Sequence, residues 1–243
     1  MSAPYGASPA TWLHWRALGL ETDLLPVVCE SGLTLSPTST LGTYGKVPSR
    51  FDSQGRVVGF PKWTTYTASA QDVVAWSKDN RLGICLQTRH ARAIDVDVED
   101  MELADEIRRV LDQWASDQAL RFLYRVRYNS TKFLTLFHLE GDYPKQILRL
   151  PGGGLIEFLG NGQQCVVAGT HPSGARYEWE GGLPAELPVL TLEQFGELKA
   201  VLQKAFGGQW SVGRIRKARV AGESSGVEDP MVDFLKKNGW VRT

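Results

Sequence analysis

One stretch, Ala93-Ile94-Asp95-Val96-Asp97-Val98-Glu99-Asp100, constrains this chain more than any other. Its alternation is that of a strand, where residues i and i+2 share a face. Asp95 and Asp97 therefore point one way, while Ile94, Val96 and Val98 point the other way, toward a core. Asp100 then caps a helix, because Leu103, Ile107, Val110, Leu111 and Trp114 recur behind it at helical spacing. Two carboxylates side by side on a largely buried strand repel each other, so either their pKa values rise or cations bind there. Hard oxygen ligands at this spacing suit Mg2+ or Mn2+. A divalent pair of that kind is the usual device for phosphoryl or nucleotidyl transfer. The same letters also suit a solvent-facing acidic turn at a strand end.

Such a strand needs partners, and the chain supplies them. Residues 24–28, 82–86, 122–128, 132–139, 155–159 and 164–168 are apolar or β-branched runs of strand length. Asn129-Ser130-Thr131 suits a tight turn between two of them. Gly160-Asn161-Gly162 predicts that 155–159 and 164–168 form a hairpin. Ser8-Pro9 opens a short first helix, Ser69-Ala70-Gln71-Asp72 a second, and Thr191-Leu192-Glu193-Gln194 one with Phe195, Leu198, Val201 and Leu202 inward. Residues 31–62, rich in Ser, Thr, Gly and Pro, read as a long loop. Strands and helices mixed with hairpins predict an α+β fold, a mixed or antiparallel sheet with flanking helices. The folded unit is expected over 1–210. A basic, then small and polar linker follows over 211–228, and Asp229-Pro230 opens the start of a C-terminal region over 229–243.

Composition excludes more than it selects. A chain of 243 residues buries a core without needing a disulfide or a structural metal. Cys29, Cys85 and Cys165 are far apart, which fits a reducing cytoplasm and neither a disulfide framework nor a zinc cluster. Twenty-seven Lys and Arg balance 27 Asp and Glu, so an argument for a nucleic-acid partner has to come from local sites. No apolar run approaches the roughly 20 residues of a membrane span. The first residues lack the pattern of a signal peptide.

Three further places can carry chemistry. Arg125 and Arg127 share one strand face, with Ser130 and Lys132 at the start of the next strand, a cationic, hydroxyl-bearing pocket suited to a triphosphate. The alternative there is a hairpin with a solvated basic face. Glu157 is a lone acid in an apolar strand, either a third metal ligand or a surface residue. His171 stands in Gly169-Thr170-His171-Pro172-Ser173-Gly174, a rigid loop that can bring an imidazole to phosphate or sugar, or carry an incidental histidine. Lys46 is not in a P-loop, because the upstream glycine spacing and the Ser/Thr are missing.

The order of these features, together with Tyr177-Glu178-Trp179, resembles the bifunctional primase–polymerase (Prim-Pol) branch of the archaeo-eukaryotic primases of phages and plasmids. The resemblance runs from about Leu24 to Trp179. It implies an archaeo-eukaryotic primase-like fold with an RRM-like catalytic core. It implies Asp95, Asp97 and Glu157 as catalytic residues and ligands of a two-metal Mg2+ or Mn2+ site. Nucleotide binding falls to Arg127, Ser130, Lys132 and His171. The family's Ser-x-His becomes Ser130-Thr131-Lys132 here, and its later Asp becomes Glu157. The implied reaction is attack of a 3′-hydroxyl on the α-phosphate of a nucleoside triphosphate, templated by single-stranded DNA. The implied setting is the host cytoplasm, with a helicase domain following and no membrane. Two other readings compete: a metal-dependent nucleotidyltransferase or nuclease that needs no template, and an inactive DNA-binding replication module.

Overall fold

The computed structural model describes residues 5–213. The basic run Arg214 to Arg219 and the segment opened by Asp229-Pro230 lie outside the described residues. In chain order the strands are β1 (Leu24–Val28), β2 (Ser49–Phe51), β3 (Val57–Gly59), β4 (Leu82–Gln87), β5 (Ala91–Asp97), β6 (Tyr124–Arg127), β7 (Ser130–His138), β8 (Gln146–Arg149), β9 (Leu155–Leu159), β10 (Gln164–Ala168), β11 (Glu178–Trp179) and β12 (Trp210–Val212). The α-helices are α1 (Pro9–Trp15), α2 (Ala70–Ser77), α3 (Met101–Asp117) and α4 (Leu192–Phe206).

The predicted caps are where the sequence puts them. Ser8, Ser69, Asp100 and Thr191 each accept from a backbone N–H of the first turn, and Ser69 and Thr191 complete capping boxes. Each cap satisfies a donor that the helix itself leaves without a partner.

Two sheets hold every strand except β2 and β3, which pair with each other. A seven-stranded sheet runs β11-β6-β7-β5-β9-β8-β12, and a three-stranded sheet runs β1-β4-β10. Every paired strand in both is antiparallel. The fold is therefore α+β, as expected, with an antiparallel main sheet. One face of that sheet buries Ile94, Val96, Phe133, Phe137 and Phe158 against Ile107 and Leu111 of α3 and Phe195 and Leu198 of α4. The other face buries Ala91, Ala93, Leu134 and Leu136 against Leu24, Ile84, Leu86 and Val167 of the small sheet, with Trp12 and Trp15 beside them.

One expectation fails. The strands at 155–159 and 164–168 do not form a hairpin. β9 pairs with β5 and β8, whereas β10 pairs with β4 in the other sheet. Gly160-Asn161-Gly162 is a crossing between layers. Gly160 packs so tightly on Tyr143 that a Cβ would lie 1.9 Å from the Tyr143 carbonyl oxygen. The long loop at 31–62 also contains the small β2–β3 hairpin. Residues 211 and 212, in the stretch read as linker, belong to the edge strand β12.

Candidate active site

β5 carries the acidic pair into the space between the two sheets. Ala91 and Ala93 are small and fully buried, so the sheets approach closely there. Asp95 and Asp97 continue the same face toward the open end of the strand. Asp95 is partly buried and Asp97 exposed. Register places Asp95 directly opposite Glu157 of β9. Burial raises the pKa of Asp95, and the neighbouring Glu157 and Asp97 raise it further against the pull of Arg125 and Lys145. The structure thus brings the three predicted acids onto adjacent strands, with Asp95 and Glu157 facing each other.

Two lysines hold the flanking acids. Lys132 Nζ lies 2.6 Å from Asp97 Oδ1 and 3.0 Å from Glu99 Oε1. Its pKa is raised by the hydrogen bond to Asp97 first and that to Glu99 second. Lys145 Nζ lies 2.6 Å from Glu157 Oε1, in a pair whose side chains are only 21% and 16% exposed. No sequence signal marked Lys145, an unpatterned residue just ahead of β8. Among the described residues, no group of three His, Cys, Asp or Glu stands ready-made around a metal position. The donor chemistry nonetheless fits a hard divalent cation. It is all carboxylate oxygen, and Asp95 is left with no hydrogen bond or ion pair of its own among the described residues.

The cationic pocket adjoins on β6 and β7. Arg125 is 8% exposed, donates from Nη1 to the Val166 carbonyl at 2.7 Å, and so ties the two sheets together behind Asp95. Its guanidinium stacks 4.6 Å from the Tyr177 ring centre. Arg127 reaches out from the same strand, donating to His171 Nδ1 at 2.8 Å and to Ser130 Oγ at 3.1 Å. Ser130 Oγ also accepts from the Lys132 N–H at 3.2 Å, so both lone pairs are used and its own proton is left to donate.

His171 comes from a braced loop. Gly169 opens it at φ +122°, and a Cβ there would lie 2.6 Å from Cys29 Sγ and 3.0 Å from the Cα of Gly83, so only glycine fits. The His171 N–H donates to Ala175 and the Tyr177 N–H to Gly169. Besides Arg127, the backbone N–H of Ser173 also donates to His171 Nδ1, at 3.0 Å. Two donors aimed at Nδ1 make it the acceptor nitrogen, which leaves the ring proton on Nε2. Burial lowers the imidazole pKa to about 4, with Arg127 and Lys46 next in effect. At neutral pH this side chain is an uncharged donor within a cluster of cations. Lys46 belongs here because Gly45 packs on Pro172, where a Cβ would lie 2.8 Å from the proline ring.

The profile of the family described as Prim-Pol, the N-terminal domain of bifunctional DNA primase/polymerases, matches residues 16–190, well over half of the chain. The chain belongs to the Prim-Pol family. No curated protein matches the sequence closely enough to add a relative. The Prim-Pol span takes in β1 through β11 and all of the site. It stops just short of α4, although α4 packs Phe195 and Leu198 into the same core as α3. At the level of the family, this is a primase/polymerase-type nucleotidyltransferase domain. Among the described residues, no helix is long and apolar enough to cross a membrane.

Proposed function

We propose that this Prim-Pol chain is a DNA-templated nucleotidyltransferase that adds nucleotides to a 3′-hydroxyl, in the replication of a phage or mobile element. The observation that carries it is the adjacency of two opposite chemistries. Asp95 faces Glu157 across β5 and β9, with Asp97 on the same face. Beside them, Lys132, Arg127, Ser130 and His171 present donors and positive charge. An anionic triphosphate and the acids that handle its cations need that arrangement.

Asp95 and Asp97 would hold Mg2+ or Mn2+, with Glu157 as the third carboxylate. Bound there, such ions neutralise phosphate charge and lower the pKa of an attacking hydroxyl. The chain's own residues do the rest. Arg127 and Lys132 bind phosphate oxygens by charge-assisted hydrogen bonds. Ser130 donates its free proton. His171, held neutral by its burial first and by Arg127 next, with Nδ1 taken by Arg127 and the Ser173 N–H, donates from Nε2 without adding charge. It supplies an imidazole to the pocket where the Ser-x-His motif has lysine at position 132. Lys132 and Lys145 neutralise Asp97 and Glu157 when no ligand is present, and Lys132 transfers its contact to phosphate when a nucleotide enters.

The test is nucleotide incorporation on single-stranded DNA, with Mg2+ or Mn2+, with and without an annealed primer, beside an Asp95→Ala/Asp97→Ala control. Template-matched extension that disappears in the control is the expected result, and product without a primer adds priming activity. Extension that ignores the template would favour the non-templated nucleotidyltransferase. DNA binding with no product under either metal would favour an inactive replication module.

A further inference from the structure

Tyr128 is 82% exposed, more than any other large apolar or aromatic side chain among the described residues. It occupies the two-residue tip of the β6–β7 hairpin, between Arg127 and Asn129. Nothing in the described fold uses it, since its side chain makes no hydrogen bond, ring contact or cation–π contact there. The tip is nonetheless held in place. Asn129 Nδ2 donates to Ser173 Oγ at 3.1 Å, fastening the hairpin to the His171 loop. A large aromatic ring kept in water on a fixed support is a surface waiting for a flat apolar partner.

The surrounding charge indicates which partner. Asp97 and Glu99, which repel a phosphate backbone, are held by Lys132 of the hairpin. The His171 loop brings cations to the tip instead: Arg127 donates to His171, and Gly45 packs on Pro172 and so brings Lys46 close. Lys46 is exposed, has no ion pair among the described residues, and is near enough to His171 to help depress its pKa. Exposed aromatic rings beside such a cationic track are how single strands are bound without sequence preference.

We propose that Tyr128 is a stacking platform for a base of the single-stranded template, whose backbone runs from the hairpin tip past Asn129 and Ser173 toward Lys46. The inference rests on the templated reading of the same site and adds the template's path. Tyr128 touches neither the triphosphate nor the acids; it positions the strand.

The test is binding of a fluorescently labelled oligothymidylate, followed by anisotropy without nucleotide or metal, for the native chain, Tyr128→Ala, Tyr128→Phe and Tyr128→Trp. Stacking on one aromatic ring predicts that Tyr128→Ala weakens binding by roughly five- to hundredfold. Tyr128→Phe and Tyr128→Trp should retain it, because the face of the ring is what matters. The nucleotide KM of Tyr128→Ala, measured on saturating primed template, should stay within about twofold of the native value. Native binding with Tyr128→Ala unchanged would overturn the platform and leave the templated reading standing. A raised nucleotide KM with unchanged oligonucleotide affinity would move the ring to the incoming base and equally overturn it. Absence of any oligonucleotide binding by the native chain would overturn both.

Discussion

Replacing Asp95 by asparagine keeps the shape of the side chain and removes its charge. Asp95 faces Glu157 across the strand pair, and Asp97 follows on the same face. Burial, Glu157 and Asp97 raise its pKa above the ordinary 3.8. The sign follows from linkage. A carboxyl that binds its proton more readily in the folded state costs stability at neutral pH, and that cost fades as pH falls through the folded value toward the unfolded one. Like charges across a strand pair cost about 0.2–1 kcal/mol each. With Arg125 and Lys145 offsetting part of this, the metal-free Asp95→Asn variant should gain about 0.5–1 kcal/mol at pH 7. For a chain of this size the Tm rises by roughly 1–4 °C. The native and variant curves should converge near pH 4, about the unfolded pKa, and nucleotide incorporation should be lost. Mg2+ or Mn2+ should raise the Tm of the native chain and leave the variant unmoved. The assay is thermal unfolding followed by circular dichroism across pH, with and without the metal. A variant that melts lower than the native chain at pH 7, or an advantage that persists at pH 4, would refute the repulsion argument. Retained incorporation would remove Asp95 from the site.

Other expectations follow from single contacts. Lys132→Ala should change stability by less than about 1 kcal/mol, because its pairs with Asp97 and Glu99 are solvent-exposed. Its nucleotide KM should rise about tenfold or more through loss of a charged phosphate contact, measurable in steady-state kinetics. Gly169→Ala should cost about 1–3 kcal/mol in urea unfolding, since the backbone is left-handed there and the new methyl meets Cys29. It should also weaken nucleotide binding by displacing His171. Because burial holds the His171 pKa near 4, below its unfolded value, stability should fall as pH drops from about 6.5 toward 4. His171→Gln should remove that dependence. Nitrogen chemical shifts should place the proton on Nε2 at pH 7, and a value typical of a free imidazole would refute the assignment.

The acidic strand was legible because its constraint is local. The period of two in Ala93 to Val98 fixes which side chains share a face, whatever the strand's neighbours are. The same holds for the caps at Ser69, Asp100 and Thr191, each a contact spanning a few residues. Lys145 was not legible, because its role comes from the β8–β9 register that places Glu157 within its reach. The pairing of His171 with Arg127 spans 44 residues of sequence and depends on where the loop after β10 returns. Local letters carry no trace of either.

The misread hairpin shows where local chemistry stops deciding. Gly160-Asn161-Gly162 permits a reversal between two apolar runs, but a hairpin forms only if both strands have their free edges in one sheet. β9 already has both edges filled, by β5 and β8. β10 finds its open edge on β4, in the second layer. Thr88 of the β4–β5 turn donates from Oγ1 to the Gly160 carbonyl at 2.7 Å, and its backbone N–H donates to Gln163. The turn residues that looked like a hairpin thus fasten the crossing between layers. The consequence is functional. Because β10 leaves for the small sheet, the loop after it emerges over the acid-bearing face of the large one. His171 then meets Arg127 there, and the Val166 carbonyl meets Arg125. A β9–β10 hairpin would have kept both in the large sheet and left Arg125 and Arg127 of β6 without the acceptors that hold them beside the acids of β5.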